Sequence, residues 1–289
     1  MYWQRVSIVA VSFLATALSA QGYIMAIRLE SMAERVAKAD AVVVGKVASV
    51  EEKTVKAKSP FGSEVEYQIA IVKIVNGISG VNGLTQVKVA FEVPHNSDGK
   101  PIPLRPTTPQ PKLQKDQEVC LFLRKHPTES FFVLTNANQI LDKKNEDFDK
   151  AVNRVKKMVT LMEDPNKSLK SEDAEGRFHT AAMLIIRYRT PCGPDLTTEA
   201  IDAAQSKAIL EVLAETDLKK KYPGLPNWDA LTAFYRLGLT DKDGWQLPEN
   251  RNEQNITNAV KSWLKANAGS YRIRRFVPDK QQKEEEKGK

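Results

Sequence analysis

Hydrophobic and polar positions change period near the middle of this 289-residue chain. In the first half they mostly alternate; in the second they recur three and four apart. After an apolar amino-terminal run, "IRLESMAERVAKAD" places Leu29, Met32, Val36 and Ala39 on one face, which predicts a short helix ending near Asp40. A valine-rich strand follows from Ala41 to Val50, with Gly45 where a long strand would bend. Polar "EEKTVKAKSPFGSE", with Pro60 and Gly62, reads as a loop or hairpin connection. "VEYQIAIVKIVNG" is a second strand, apolar on both faces through its middle, which fits a strand bent around a closed or nearly closed barrel. "GISGVNG" is a turn and "TQVKVAFEV" the third strand. Residues Pro94 to Gln114 hold six prolines and no period, and predict a long extended loop. "KDQEVCLFLRKHP" and "SFFVLT" add two strands. Phe148, Val152, Val155, Val159 and Met162 then form a helical stripe stopped by Pro165.

Beyond a linker at "EDPNKSLKSED" the pattern is helical. Phe178, Ala181, Ala182 and Ile185 share one face; Ile209, Leu210 and Leu213 share another. Asn227 is the expected cap of a helix burying Trp228, Leu231 and Phe234. Ile256, Val260, Trp263 and Leu264 complete a fourth helix, closed by Gly269. These four predict a small bundle or helical-hairpin stack. The division is therefore a leader at 1–19, a barrel domain at 20–165, a helical domain at 172–276 and a disordered charged tail at 277–289.

The leader fixes the expected compartment. "MYWQRVSIVAVSFLATALSAQG" has Arg5, an apolar run from Val6 to Leu18, then small residues. That run suits a secretory signal and is shorter than the ~20 residues needed to span a bilayer. Cleavage after Ser19 satisfies the small-residue positions; cleavage after Ala20 is the alternative. Export to the periplasm, cell envelope or medium is expected, with no stable membrane span afterwards. The formal charge of +7 arises from Lys and Arg interleaved with Asp and Glu along most of the chain, a solvated surface rather than a nucleic-acid face. Cys120 and Cys192 are the two cysteines. In an oxidising compartment they are a candidate disulfide; alternatively Cys120 is a small buried hydrophobe in "EVCLFLRK" and Cys192 a loop residue in "RTPCGPD".

Three pieces of the first half, Ala39 to Val47 ("ADAVVVGKV"), Ile71 to Gly77 ("IVKIVNG") and Glu118 to Leu123 ("EVCLFL"), resemble the netrin-like module, the OB-type barrel shared with tissue metalloproteinase inhibitors. The whole chain also looks like uncharacterised exported bacterial proteins whose helical domain ends in a segment like "YRIRRF", Tyr271 to Phe276 here. The resemblance implies an α+β fold: a five-stranded OB-type barrel with flanking helices, followed by a small all-α domain. It also implies a binding or inhibitory role. Those inhibitors act through a mature amino-terminal cysteine that chelates zinc, and the expected mature end here is Ala20 or Gln21, so that mechanism does not transfer.

Catalytic patterns are sparse. His95, His126 and His179 have no partner at metal-ligand or triad spacing. Ser97 and Lys100 fit a Ser-x-x-Lys pattern but sit in a turn between prolines, without the helix that pattern needs. Asp241 and Asp243 open a calcium-like run whose sixth and twelfth positions, Gln246 and Asn252, do not suit an EF-hand. Arg272, Arg274 and Arg275, between Tyr271 and Phe276, could bind an acidic polymer, or could rim a strand that docks back. The expectation is an exported, non-enzymatic binding protein without a cofactor. Its partner would be a protein or envelope polymer, with nucleic acid not the main one. The candidate surface is His95, Lys100, Arg105, Arg272, Arg274 and Arg275. A protease inhibitor acting by loop or edge-strand insertion is the alternative, and a hydrolase built from Asp40, His126 and Glu118 a third.

Overall fold

The computed structural model describes residues 30–93, 111–222, 224–225 and 228–279. The expected leader, residues 94–110 of the proline-rich loop with His95, Lys100 and Arg105, the Asn227 cap and residues 280–289 lie outside the described residues.

Helix α1 (Met32–Lys38) begins at Ser31. The Ser31 hydroxyl accepts from the Glu34 N–H at 3.2 Å, and the Glu34 carboxylate accepts from the Ser31 N–H at 2.8 Å. Two amide N–H groups that the first helical turn leaves free are thereby satisfied. Asp40 ends the segment as a clamp: its carboxylate accepts from the Lys125 N–H at 2.8 Å, and its own N–H donates to Leu123.

The strands that follow are β1 (Ala41–Val50), β2 (Val55–Lys58), β3 (Glu64–Ser79), β4 (Gln86–Glu92), β5 (Glu118–Lys125), β6 (Phe132–Leu134) and β7 (Ile140–Asp142). Strand β1 pairs antiparallel with both β3 and β5; β3 pairs with β4, and β5 with β6, in the same sense. Strand β4 pairs parallel with β6. These pairings run β1-β3-β4-β6-β5 and return to β1, a ringed sheet of five strands. Strands β2 and β7 attach outside it, on β3 and β5. The segment read as a polar loop thus contains β2, whose "VKAK" lies mostly exposed as a ribbon against Glu64–Tyr67. The turn after β3 is shorter than expected, because the strand runs on through Ser79.

Alternation along the strands explains why their sequences are apolar on both faces. Val43, Val47, Val72, Val89, Leu121 and Leu123 fill the ring's interior. Val42, Cys120 and Phe122, the alternate residues of β1 and β5, point outward and are just as buried, because helices cover them. Tyr67, Ile69, Ala90, Phe131 and Val133 form a smaller cluster outside β3, β4 and β6.

Six further helices follow: α2 (Phe148–Glu163), α3 (Pro165–Ser168), α4 (Ala174–Arg189), α5 (Ala203–Glu215), α6 (Ala230–Arg236) and α7 (Glu253–Asn267). The described residues are therefore mixed α+β, with a five-stranded ring and seven helices. Helix α4 is apolar nearly all round and buried from Phe178 to Ile186, as a helix surrounded by others must be. The expected linker instead carries α3, and Leu169 just after it is buried. The cap of α6 is Asp229, whose carboxylate accepts from the Thr232 N–H at 2.8 Å. The second half is not purely helical: β8 (Leu196–Ala200) and β9 (Arg274–Pro278) pair antiparallel. Val277 and Pro278, assigned from sequence to the tail, belong to β9. One hydrophobic cluster joins α1, Val42, Cys120 and Phe122 to α2 and to α4, α5, α6 and α7. Among the described residues no helix is long and apolar enough to cross a membrane.

Candidate functional site

Two adjoining cavities lie where one end of the ring meets α1, α4 and the β8–β9 pair. The first holds about 440 Å³ and is lined by Ala37–Asp40, Pro60, Arg124, Lys125, Pro127, Arg187, Thr190, Cys192 and Phe276. The second holds about 620 Å³, between the β2–β3 hairpin tip at Lys58–Gly62, Pro127, Thr128, the loop Cys192–Leu196, Pro278 and Asp279. Pro60, Pro127 and Cys192 belong to both, so the two form one groove. Its size falls in the range of ligand sites.

Local bonds fix each wall. The hairpin tip is tied by Ser59, whose N–H donates to the Ser63 carbonyl at 2.6 Å and whose hydroxyl accepts from the Phe61 N–H at 3.2 Å. That turn leaves the Phe61 ring 56% exposed, a large apolar group offered at the groove's edge. His126 joins the tip to the turn after β5. Its Nδ1 accepts from the N–H groups of Thr128 and Glu129, at 3.2 and 3.0 Å, which requires the proton on Nε2, 2.7 Å from the Lys58 carbonyl. On the far wall Phe276 is backed by Arg189, which donates to the Arg236 and Arg274 carbonyls and lies 4.9 Å over the Phe276 ring. Burial lowers the Arg189 pKa from its usual value, with Tyr271 opposing and Arg274 adding to that fall.

The first cavity is cationic. Lys38, Arg124, Lys125 and Arg187 line it against one carboxylate, Asp40. Lys38 pairs with Glu30 at 2.7 Å, and Arg187 donates from Nε to the Ala37 carbonyl at the end of α1. The negative carboxy-terminal ends of α1 and α4 favour these cations. The Arg124 and Lys125 side chains, from the end of β5, have no ion pair among the described residues.

The sequence-derived candidates fare differently. Arg274 is committed to β8, donating to the Thr198 hydroxyl at 2.9 Å and its carbonyl at 2.8 Å, and Arg275 pairs with Glu199. Arg272 donates to the Ile201 carbonyl at 3.4 Å. These arginines fasten β9 in place, which is the docked-strand alternative. Cys120 and Cys192 are both free, which corrects the candidate disulfide: Cys120 faces the helices on β5, while Cys192 is exposed in the groove. Asp40, His126 and Glu118 do not assemble into a site. Glu118 opens β5 and pairs with Lys143, whereas Asp40 binds the other end of that strand, about 23 Å away along it. Both His126 nitrogens are engaged by backbone groups. His179 is buried in α4, and Asp243 caps its own turn by accepting from the Thr240 N–H at 2.9 Å. Among the described residues no three His, Cys, Asp or Glu side chains gather to hold a metal.

The groove residues went unrecognised in the sequence because five separated segments supply them; "RKHP" and "RTPCGPD" are the only local hints. No family model matches the chain, and a search of curated proteins finds no match.

Proposed function

We propose that this chain is an exported binding protein built on an OB-type, netrin-like barrel, and that its ligand lies in the groove beside the ring. The observation that carries the reading is the groove itself, an open concave surface held by rigid elements. Supporting the barrel type, the ring runs β1-β3-β4-β6-β5 with one parallel pair, β4 and β6, as the OB arrangement requires. The secretory pattern of the first 19 residues supports export to the periplasm, envelope or medium. The ligand is held rather than transformed: the first cavity sets four cations against Asp40, and both nitrogens of the adjoining His126 are engaged by backbone groups.

A photo-crosslinker attached to Cys192 tests this reading. It should yield specific adducts from an envelope extract, while the same label on Val75→Cys in a Cys192→Ser background should not, since Val75 is exposed but lines neither cavity. Identical adducts from both positions would defeat the proposal. Protease inhibition by loop insertion is the second reading, favoured by the braced hairpin tip and its exposed Phe61. Loss of inhibition of a secreted protease in Phe61→Ala is its test.

A further inference from the structure

The two halves of the groove differ in chemistry. The first cavity carries Lys38, Arg124, Lys125 and Arg187 against Asp40. The second carries Lys58, Asp195 and Asp279, with Ser59 and Thr128, and its apolar walls are four proline rings, Phe61 and Leu196. A ligand crossing both must be anionic over one stretch and apolar over the next.

We infer that the groove binds an extended acidic peptide segment, its carboxylates beside Arg124 and Lys125 and an adjacent apolar residue against Pro127, Pro194 and Leu196. This inference rests on the binding-protein reading and adds the class of ligand. Arg124 supplies a planar donor fork suited to a carboxylate, and Lys125 a second positive charge. Neither has an ion pair among the described residues, whereas Lys38 and Arg187 are already held by Glu30 and the Ala37 carbonyl. Asp40 is one carboxylate against four cations, so the first cavity keeps a net positive charge. A polymer charged at every repeat, such as a uronic-acid glycan, would bring negative charge against Asp195 and the apolar walls of the second cavity. A peptide can change from acidic to apolar within one residue. The proline-lined half suits its apolar side chain, and an extended segment presents alternate side chains to successive parts of a groove.

The probe is a fluorescein-labelled peptide of three glutamates followed by leucine and proline, read by anisotropy against the whole mature chain. Binding should weaken as salt rises. Replacing the glutamates by glutamines should weaken it roughly tenfold or more, the size of one charge-assisted contact. The Arg124→Glu/Lys125→Glu double variant should lose binding to the same degree with an unchanged Tm. Equal binding of both peptides, an unaffected double variant, or preference for oligogalacturonate would overturn the inference. Specific Cys192 adducts without any peptide preference would remove the peptide and leave the binding protein.

Discussion

Gly45 and the two cysteines show how single residues are fixed by what surrounds them. A Cβ on Gly45 would sit 2.5 Å from the Lys73 carbonyl oxygen and 2.7 Å from a Val72 methyl, where β1 and β3 shift register. The close neighbour is backbone, so it cannot rotate away. Gly45→Ala should therefore destabilise the fold by about 1–3 kcal/mol, as overpacked cores do, and denaturant unfolding will read it. Wild-type stability in that variant would mean that the two strands do not approach so closely. Cys120 is a different case. Burial pushes its thiol up to about 12, with the Arg35 guanidinium opposing. The thiolate is the reactive form, so Cys120 should be inert and Cys192 accessible. A thiol reagent at pH 8 should count one group in the native protein and two in denaturant; zero and zero without reductant would restore the disulfide.

At the scale of elements, period alone located most of the structure. Helices α1, α2, α4, α5, α6 and α7 and strands β1, β3, β4, β5 and β6 follow from apolar spacing, because each buries one or both faces. The sequence marks β9 only as the docked-strand alternative for "YRIRRF" and is silent on β2, β7 and β8, for a physical reason. They are short ribbons, exposed or at most half-buried, defined by a partner strand, and the partner of "LTTEA" begins 78 residues further on, at Arg274. The groove is illegible for the same reason, since its walls meet only in space. Caps were harder still, as α6 shows. Burial alone would raise the Asp229 carboxyl, but hydrogen bonds from Lys221 and Thr232 outweigh it and hold its pKa below the ordinary carboxylate value. A carboxyl lowered in the folded state stabilises above the unfolded pKa, and that stability is lost as pH falls through the folded value. Asp229→Ala should cost about 1 kcal/mol at neutral pH, as lost caps do. The difference from wild type should shrink as pH drops below about 4, where the unfolded carboxyl begins to protonate. Thermal melts at pH 7 and pH 3 read both, and a gap that widens in acid would contradict these hydrogen bonds to Asp229.

For the whole molecule, the outward face of the ring decides whether its halves can exist apart. Val42, Cys120 and Phe122 are essentially inaccessible, and the cluster that buries them includes Phe178, Ala182 and Ile185 of α4. Helix α1 is fastened to the same helix, since Arg187 donates to its last-turn carbonyl at Ala37. A chain ended at Ser171 would uncover this face of β1 and β5, together with Ala33 and Val36 of α1. Fully burying one large apolar side chain stabilises by about 1.5–3 kcal/mol, so losing several such burials removes a stability comparable to that of an entire domain. The fragment 20–171 should therefore lack cooperative unfolding and sharp amide dispersion, and should regain both when residues 172–279 are supplied in trans. The groove should reappear only with reassembly, because Arg187, Cys192 and Phe276 come from the second fragment and Arg124, Lys125 and Pro60 from the first. A fragment that unfolds cooperatively alone would instead make the ring an independent unit, with the helices added to it as a separable layer.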